Sequence, residues 1–279
     1  MSDSFYKVRE IAPGLFHIQE PSGVCCTLIV GKKKALLVDT GYGFANLPET
    51  IKQLTELPLQ IINTHGHLDH AGGNYLFSQA AFLHPFEKAV YADYQRRKAY
   101  MLAYLDRRAA SGKSVNPYPE DFDRESYLTY KKISFLQPLN HQKFDLGGRT
   151  AEVIFMPGHT VGSLALFDCE SATLIAGDNI GPSLWIMFDH SAPAEELYNV
   201  LSQIKRDYPI GQVLYSHSGT PYPPQIIDHL LRGLAHMSPK TSSIFVHPRD
   251  GYKAWHHKEP VSDIPGINVI HIVYPLSPP

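Results

Sequence analysis

Four side chains able to bind a metal, His65, His67, Asp69 and His70, crowd into the stretch Ile61-Ile62-Asn63-Thr64-His65-Gly66-His67-Leu68-Asp69-His70-Ala71-Gly72-Gly73-Asn74. Three imidazoles and a carboxylate just beyond an apolar run must be hydrated, mutually hydrogen-bonded or metal-bound, because burying them unpaired costs several kcal/mol. Metal binding is the most economical of the three. On a loop leaving a strand, His65 and His67 converge on one ion, while Asp69 and His70 turn toward a second. Imidazole and carboxylate suit zinc or related first-row ions, and a catalytic site keeps a position open for water. A short segment rarely closes such a site alone, so further ligands are expected downstream.

The elements that must position these groups follow from the pattern. Residues 11–39 alternate apolar runs with turns and read as a β-meander, closed by Asp39-Thr40-Gly41. Leu47–Leu57 has helical spacing and stops at Pro58, and Leu59–Asn63 is the strand that delivers the histidines. A helix is expected from Asn74, a short strand at 80–84, and a long helical stretch from Pro85 to about Ser111. Residues 112–140 lose periodicity, so 85–140 reads as a mainly helical insertion in a single domain spanning 1–279. Ala151–Met156 is a strand ending in Pro157-Gly158-His159-Thr160, and Thr173–Ala176 runs into Gly177-Asp178. Gln212–Ser216 ends at His217. These three strand ends supply the missing ligand candidates, His159, Asp178 and His217.

Helices are expected from Ala192 to about Asp207 and over about Pro224–His236, then strands at 243–246 and 269–273 separated by a polar aromatic stretch around Trp255-His256-His257. Strand runs in two groups with helices between them suggest an α+β fold, an αββα sandwich of two mixed sheets with outer helices. Gly181–Phe188 is too apolar for an ordinary exposed loop and fits a cleft wall or core packing equally. A lone histidine is more often structural, and that reading holds for His17, His84, His141, His190, His229, His236, His247 and His271.

Composition narrows the partners. Lys plus Arg number 25 against 27 Asp plus Glu, a formal charge of −2, without the basic excess that nucleic-acid binding exploits. No run of about eighteen apolar residues signals a membrane span, and residues 1–7 lack a secretory leader, so a cytoplasmic protein acting on a small molecule is expected. Three cysteines, Cys25, Cys26 and Cys169, do not make a disulfide framework. The aromatic helix around Tyr91, Tyr94 and Tyr104 could cover the cleft or form a homodimer contact.

The set Thr64-His65-Gly66-His67-Leu68-Asp69-His70, Gly158-His159-Thr160, Gly177-Asp178 and Ser216-His217 closely resembles the metallo-β-lactamase-like superfamily, in its glyoxalase II-like branch. The resemblance implies the αββα fold and a dinuclear centre. His65, His67 and His159 would hold one metal, Asp69, His70 and His217 the second, and Asp178 would bridge. The ions implied are two divalent metals, zinc first, with manganese and iron as the other candidates. True β-lactamases of this superfamily lack the bridging carboxylate that Asp178 supplies. Lactonases similar to the quorum-quenching enzymes carry a tyrosine shortly after it, where Asn179-Ile180-Gly181-Pro182 stands here. The expected activity is hydrolysis of an ester-type bond (thioester, lactone, carboxylic ester or phosphodiester) by a metal-bridging hydroxide that Asp69 orients and relieves of a proton. The rival on the same scaffold is a mononuclear iron (persulfide) dioxygenase, against which the full second-site ligand set argues.

Overall fold

The computed structural model describes residues 5–129, 136–139 and 141–276. They group into two compact units, the first comprising the chain up to Glu152 with Asp168–Ser171 and Ser216–Gly219, the second the remainder.

The first unit is built on a seven-stranded sheet whose strands follow chain order: β1 (Lys7–Ala12), β2 (Leu15–Gln19), β3 (Cys25–Val30), β4 (Ala35–Val38), β5 (Leu59–Ile62), β6 (Ala81–Leu83) and β7 (Leu136–Pro138). The first four pair antiparallel through short turns, and β4 to β7 pair parallel. A parallel pair needs a crossover, and α1 (Leu47–Leu54) supplies it between β4 and β5. The Asn46 side chain accepts from Glu49 N at 3.4 Å at its start. The helix ends three residues sooner than its spacing predicts, because Thr55 is extended. Leu28, Leu37, Leu47, Ile51 and Ile61 share the core beneath it.

After β5 the chain forms a single turn of helix, α2 (Leu68–Ala71), then a 3-10 turn at Gly72–Leu76. The predicted helix from Asn74 is thus replaced by a tighter and earlier structure that starts inside the histidine run. Pro85–Glu87 forms another 3-10 turn before α3 (Lys88–Arg96), α4 (Lys98–Ala110) and α5 (Arg124–Thr129). Residues 130–135 and 140 of the expected insertion lie outside the described residues. Tyr94, Met101, Leu102, Leu105 and Tyr127 from these helices pack with Tyr42, Phe44 and Leu68. The helical segment therefore buttresses the loop that carries the histidines. The first unit closes with β8 (Lys143–Asp145), paired antiparallel with the start of β9 (Thr150–Phe155).

The second unit continues through β10 (Leu164–Asp168), β11 (Thr173–Ile175), β12 (Ser183–Trp185), α6 (Ala194–Asp207), β13 (Gln212–Leu214), α7 (Ile226–His236), β14 (Ser242–Val246), β15 (Lys253–Ile264) and β16 (Ile267–Pro275). One sheet has the order β13-β11-β10-β9 in this unit, and another β12-β16-β15-β14. Leu197, Leu201 and Ile204 of α6 and Ile226, Ile227 and Leu230 of α7 face a core shared with Ile270 and Ile272. The polar aromatic stretch around Trp255-His256-His257, expected to separate two strands, is instead part of the twelve-residue strand β15. His256 Nε2 and His271 Nδ1 lie 2.8 Å apart across the hairpin, and His257 Nε2 is 3.4 Å from Glu259 Oε2 on the same strand. Among the described residues no helix is long and apolar enough to cross a membrane.

Candidate metal centre

Parallel pairing in the first unit puts the C-terminal ends of β4, β5 and β6 at one sheet edge, where α/β sheets place their ligands. Val38 pairs with Ile62, and Ile62 with Phe82. The residues that leave these strands therefore meet. Asp39, from β4, has φ +63°, a left-handed conformation that aspartate tolerates better than most side chains. Its Oδ1 accepts from Thr64 N at 2.7 Å, and its Oδ2 accepts from Thr64 Oγ1 at 2.8 Å and from His70 Nδ1 at 2.9 Å. All three residues are buried.

These bonds dictate the tautomers. His70 gives its Nδ1 proton to Asp39, so its Nε2 is left as the lone-pair nitrogen. Thr64 spends its one proton on Asp39, so its hydroxyl accepts from His65 Nδ1 at 3.1 Å and the His65 lone pair also falls on Nε2. A carboxylate behind an imidazole is the support that metal-binding histidines require. His70 Nε2 lies 3.9 Å from Asp69 Oδ2, and His217 Nε2 lies 3.8 Å from the same oxygen. The donor atoms of Asp69, His70 and His217 all fall within 4.8 Å of one another. Two imidazoles and a carboxylate at that spacing fit a divalent first-row cation.

His217 belongs to this unit because its loop is tied to β2 and β3. Cys25 N donates to Ser216 O at 2.8 Å, and His17 Nε2 sits 2.9 Å from Ser218 O while its Nδ1 meets Thr27 Oγ1 at 2.9 Å. His17 is thus a buried structural histidine, as expected. The rings of His65 and His67 are 4.6 Å apart and those of His65 and His70 4.0 Å, and His67 stacks on Tyr94 of α3 at 4.1 Å. Gly66 permits this close packing: its amide donates to Glu87 Oε2 at 2.8 Å, and a Cβ there would stand 2.6 Å from Tyr91 N.

In the second unit His159 and Asp178 come together, His159 Nε2 lying 3.5 Å from Asp178 Oδ2. The Trp185 carbonyl accepts from His159 Nδ1 at 2.6 Å, which again puts the lone pair on Nε2. Asn179 holds the two loops in register: its Oδ1 accepts from His159 N at 2.7 Å and its Nδ2 donates to Met156 O at 2.7 Å.

Asp39, Asn179 and Glu87 are positioning residues that the spacing of ligand types does not reveal. For Asp39 the available signal is a carboxylate ending the fully apolar run Ala35-Leu36-Leu37-Val38. Replacing Asp39 with Asn turns one of its two acceptor oxygens into a donor, so it can no longer serve Thr64 and His70 together, and is expected to weaken metal binding 10- to 100-fold, the usual size of such outer-shell losses. Competition with a chromophoric chelator measures this, and unchanged affinity would show that Asp39 does not hold the ligand.

Glu20 adds a pH-dependent feature to the first unit. Burial pushes its carboxyl up to about 8 from 4.5; hydrogen bonds from Ser22 and Tyr42 N oppose that, and the charge of Asp69 adds to it. Between these two values the folded chain binds a proton that the unfolded chain has released. Stability of the metal-free protein should therefore fall as pH rises from about 4.5 to about 8, at up to about 1.4 kcal/mol per pH unit from this group. Glu20→Gln should flatten that slope in denaturant unfolding, and an unaltered slope would remove Glu20 as its source.

A family model of the metallo-beta-lactamase superfamily matches residues 20–232, about three quarters of the sequence. The chain belongs to that superfamily. Its curated relatives include the acyl-coenzyme A thioesterase MBLAC2 of Homo sapiens, 27% identical over 195 residues, which are 62% of this chain and 66%, just under two thirds, of that protein. A hydroxyacylglutathione hydrolase of Hyphomonas neptunium is 27% identical over 150 residues, 54% of this chain and 44% of that one. Among solved structures, a metallo-beta-lactamase from Pontibacter korlensis superposes with a TM-score of 0.57 at 17% identity, covering 83% of this chain and all of its own. The α+β fold of the superfamily, expected from the motifs, is thereby borne out.

Proposed function

We propose that this metallo-β-lactamase superfamily member is a dinuclear metal-dependent hydrolase of thioesters. The observation that carries the reading is the Asp69, His70 and His217 donor set, with His70 held from behind by Asp39. The names of the curated relatives, an acyl-coenzyme A thioesterase and a hydroxyacylglutathione hydrolase, support the thioester among ester-type bonds. The ligand assignment follows the superfamily resemblance: His65, His67 and His159 for one ion, Asp69, His70 and His217 for the other, with Asp178 bridging. Bound there, two divalent cations, zinc first, would supply Lewis acidity and a nucleophile at neutral pH, because coordination lowers the pKa of water from 15.7 to about 7.

The chain's own groups then have distinct tasks. Asp39 and Thr64 keep His65 and His70 in the tautomers that leave Nε2 available. Asp69 is the carboxylate of the Asp69, His70 and His217 set, and its side chain is 19% exposed, so it can face a water molecule and pass a proton onward. It takes the proton from the attacking water as the C–O bond forms and returns it to the departing sulfur as the C–S bond breaks. Helices α3 to α5 cap the histidine loop, with Tyr94 against His67 excluding water from that side. The test is turnover of a panel comprising a thioester, a lactone, an aryl ester, a phosphodiester and a β-lactam, with and without a chelator. Chelator-sensitive turnover greatest on the thioester is expected; turnover confined to another class would replace the substrate assignment.

A further inference from the structure

The second unit contains a cavity of about 470 Å³, inside the range of small-molecule sites. One wall is the segment from Ile186 to Glu195, and the other comes from Met237, Trp255, Tyr274 and the end of β16. Its surface is mostly apolar, and the charged residues that line it are Asp189 and Glu195, both acidic. Such a lining favours an uncharged hydrocarbon and disfavours an anion. The flexible Met187 and Met237 side chains let one cavity fit chains of differing shape.

The same segment positions a ligand-type histidine. Trp185 O accepts from His159 Nδ1, Ser191 Oγ donates to His159 O at 2.8 Å, and Ala192 N donates to Gly158 O at 2.9 Å. Phe188, whose ring centroid is 5.5 Å from that of His159, lines the cavity as well. A hydrocarbon seated here is held by the wall that fixes His159. We propose that this cavity receives the uncharged aliphatic or aryl tail of the acyl group, so that it sets the chain-length preference. The acyl part of that assignment rests on the thioester reading above; the preference for an uncharged hydrocarbon rests on the cavity alone.

Two measurements test it. The chain has two tryptophans, and Trp255 lines the cavity, so in Trp185→Phe the emission reports Trp255 alone. Titrating metal-free Trp185→Phe with a brominated decanamide should quench that emission saturably, and the added substitution Ala194→Phe, which fills the cavity from the first residue of α6, should abolish the saturable part. Across linear acyl thioesters of two to twelve carbons, kcat/KM should rise about fourfold per added methylene until the cavity is full, the equivalent of about 0.8 kcal/mol per buried CH₂. Ala194→Phe should move the optimum to shorter chains and Met237→Ala to longer ones. Absence of saturable quenching in Trp185→Phe that retains its circular dichroism, or thioester turnover indifferent to chain length, would overturn the cavity assignment while leaving the thioester reading intact. Saturable quenching with no thioester turnover would sustain the hydrocarbon site and withdraw the thioester reading instead.

Discussion

Replacing Asp178 with alanine is expected to lower kcat about a thousandfold or more, on the order of 4 kcal/mol of transition-state stabilisation, and to lower bound metal below two equivalents in the same preparation. The carboxylate stands 3.5 Å from His159 Nε2, and Asn179, the next residue, is locked to both the His159 amide and the Met156 carbonyl. The loop is thus built to hold Asp178 in one place. Alanine takes away the carboxylate oxygens without disturbing Asn179, so the backbone should persist while the charge that would balance the proposed cations is lost. Parallel steady-state kinetics and elemental analysis check both halves. A variant that keeps two metals and full activity would strip Asp178 of the bridging role.

The largest stability loss is expected far from the histidines. Arg149 donates to Asp168 through two parallel bonds, Nε to Oδ1 at 2.8 Å and Nη2 to Oδ2 at 2.6 Å, and Ser171 Oγ donates to the same carboxylate. Its remaining nitrogen, Nη1, donates to Pro13 O at 2.7 Å and Val30 O at 3.2 Å. The side chains are 8% and 0% exposed. Such a fork joins the turn before β2, the end of β3 and the start of β9 in one buried ion pair. Arg149→Met leaves the Asp168 charge buried without its partner, and a loss of about 3 to 5 kcal/mol is expected in denaturant unfolding at neutral pH. Adding Asp168→Leu should restore most of it, because two apolar side chains of similar volume leave no charge behind. A loss below about 1 kcal/mol in the single variant would place the pair among weak surface bridges.

The ligand-type residues were legible because their signal is dense or repeated: four donors packed around one glycine, then His159, Asp178 and His217 each placed after an apolar strand. What the pattern could not disclose were single polar residues whose work is done through another residue. Asp39 reads as an ordinary turn former until β4 and β5 are known to run parallel, which sets its carboxylate beside Thr64 and His70. Asn179 reads only as a position where a tyrosine is missing, whereas in the structure it ties the His159 turn to the Asp178 loop. The strand β15 escaped notice for a related reason. Its adjacent histidines break the polar and apolar alternation, and the His271 partner of His256 shows only once the hairpin with β16 is formed. The edge strand β1, largely exposed and rich in charge, gave no apolar run to detect. The Gly181–Phe188 segment packs in the core through Leu184, Ile186 and Met187, and its last three residues also line the second-unit cavity.

On the reading proposed above, the donors hold two cations and these support hydrolysis. Elemental analysis of the protein purified without added metal, run beside thioester turnover on the same sample, addresses it most directly. Two equivalents of zinc or manganese per chain are expected, with turnover that falls as they are removed. One equivalent of iron with no hydrolysis would contradict it, and the assignment of Asp69, His70 and His217 to a second ion would be withdrawn.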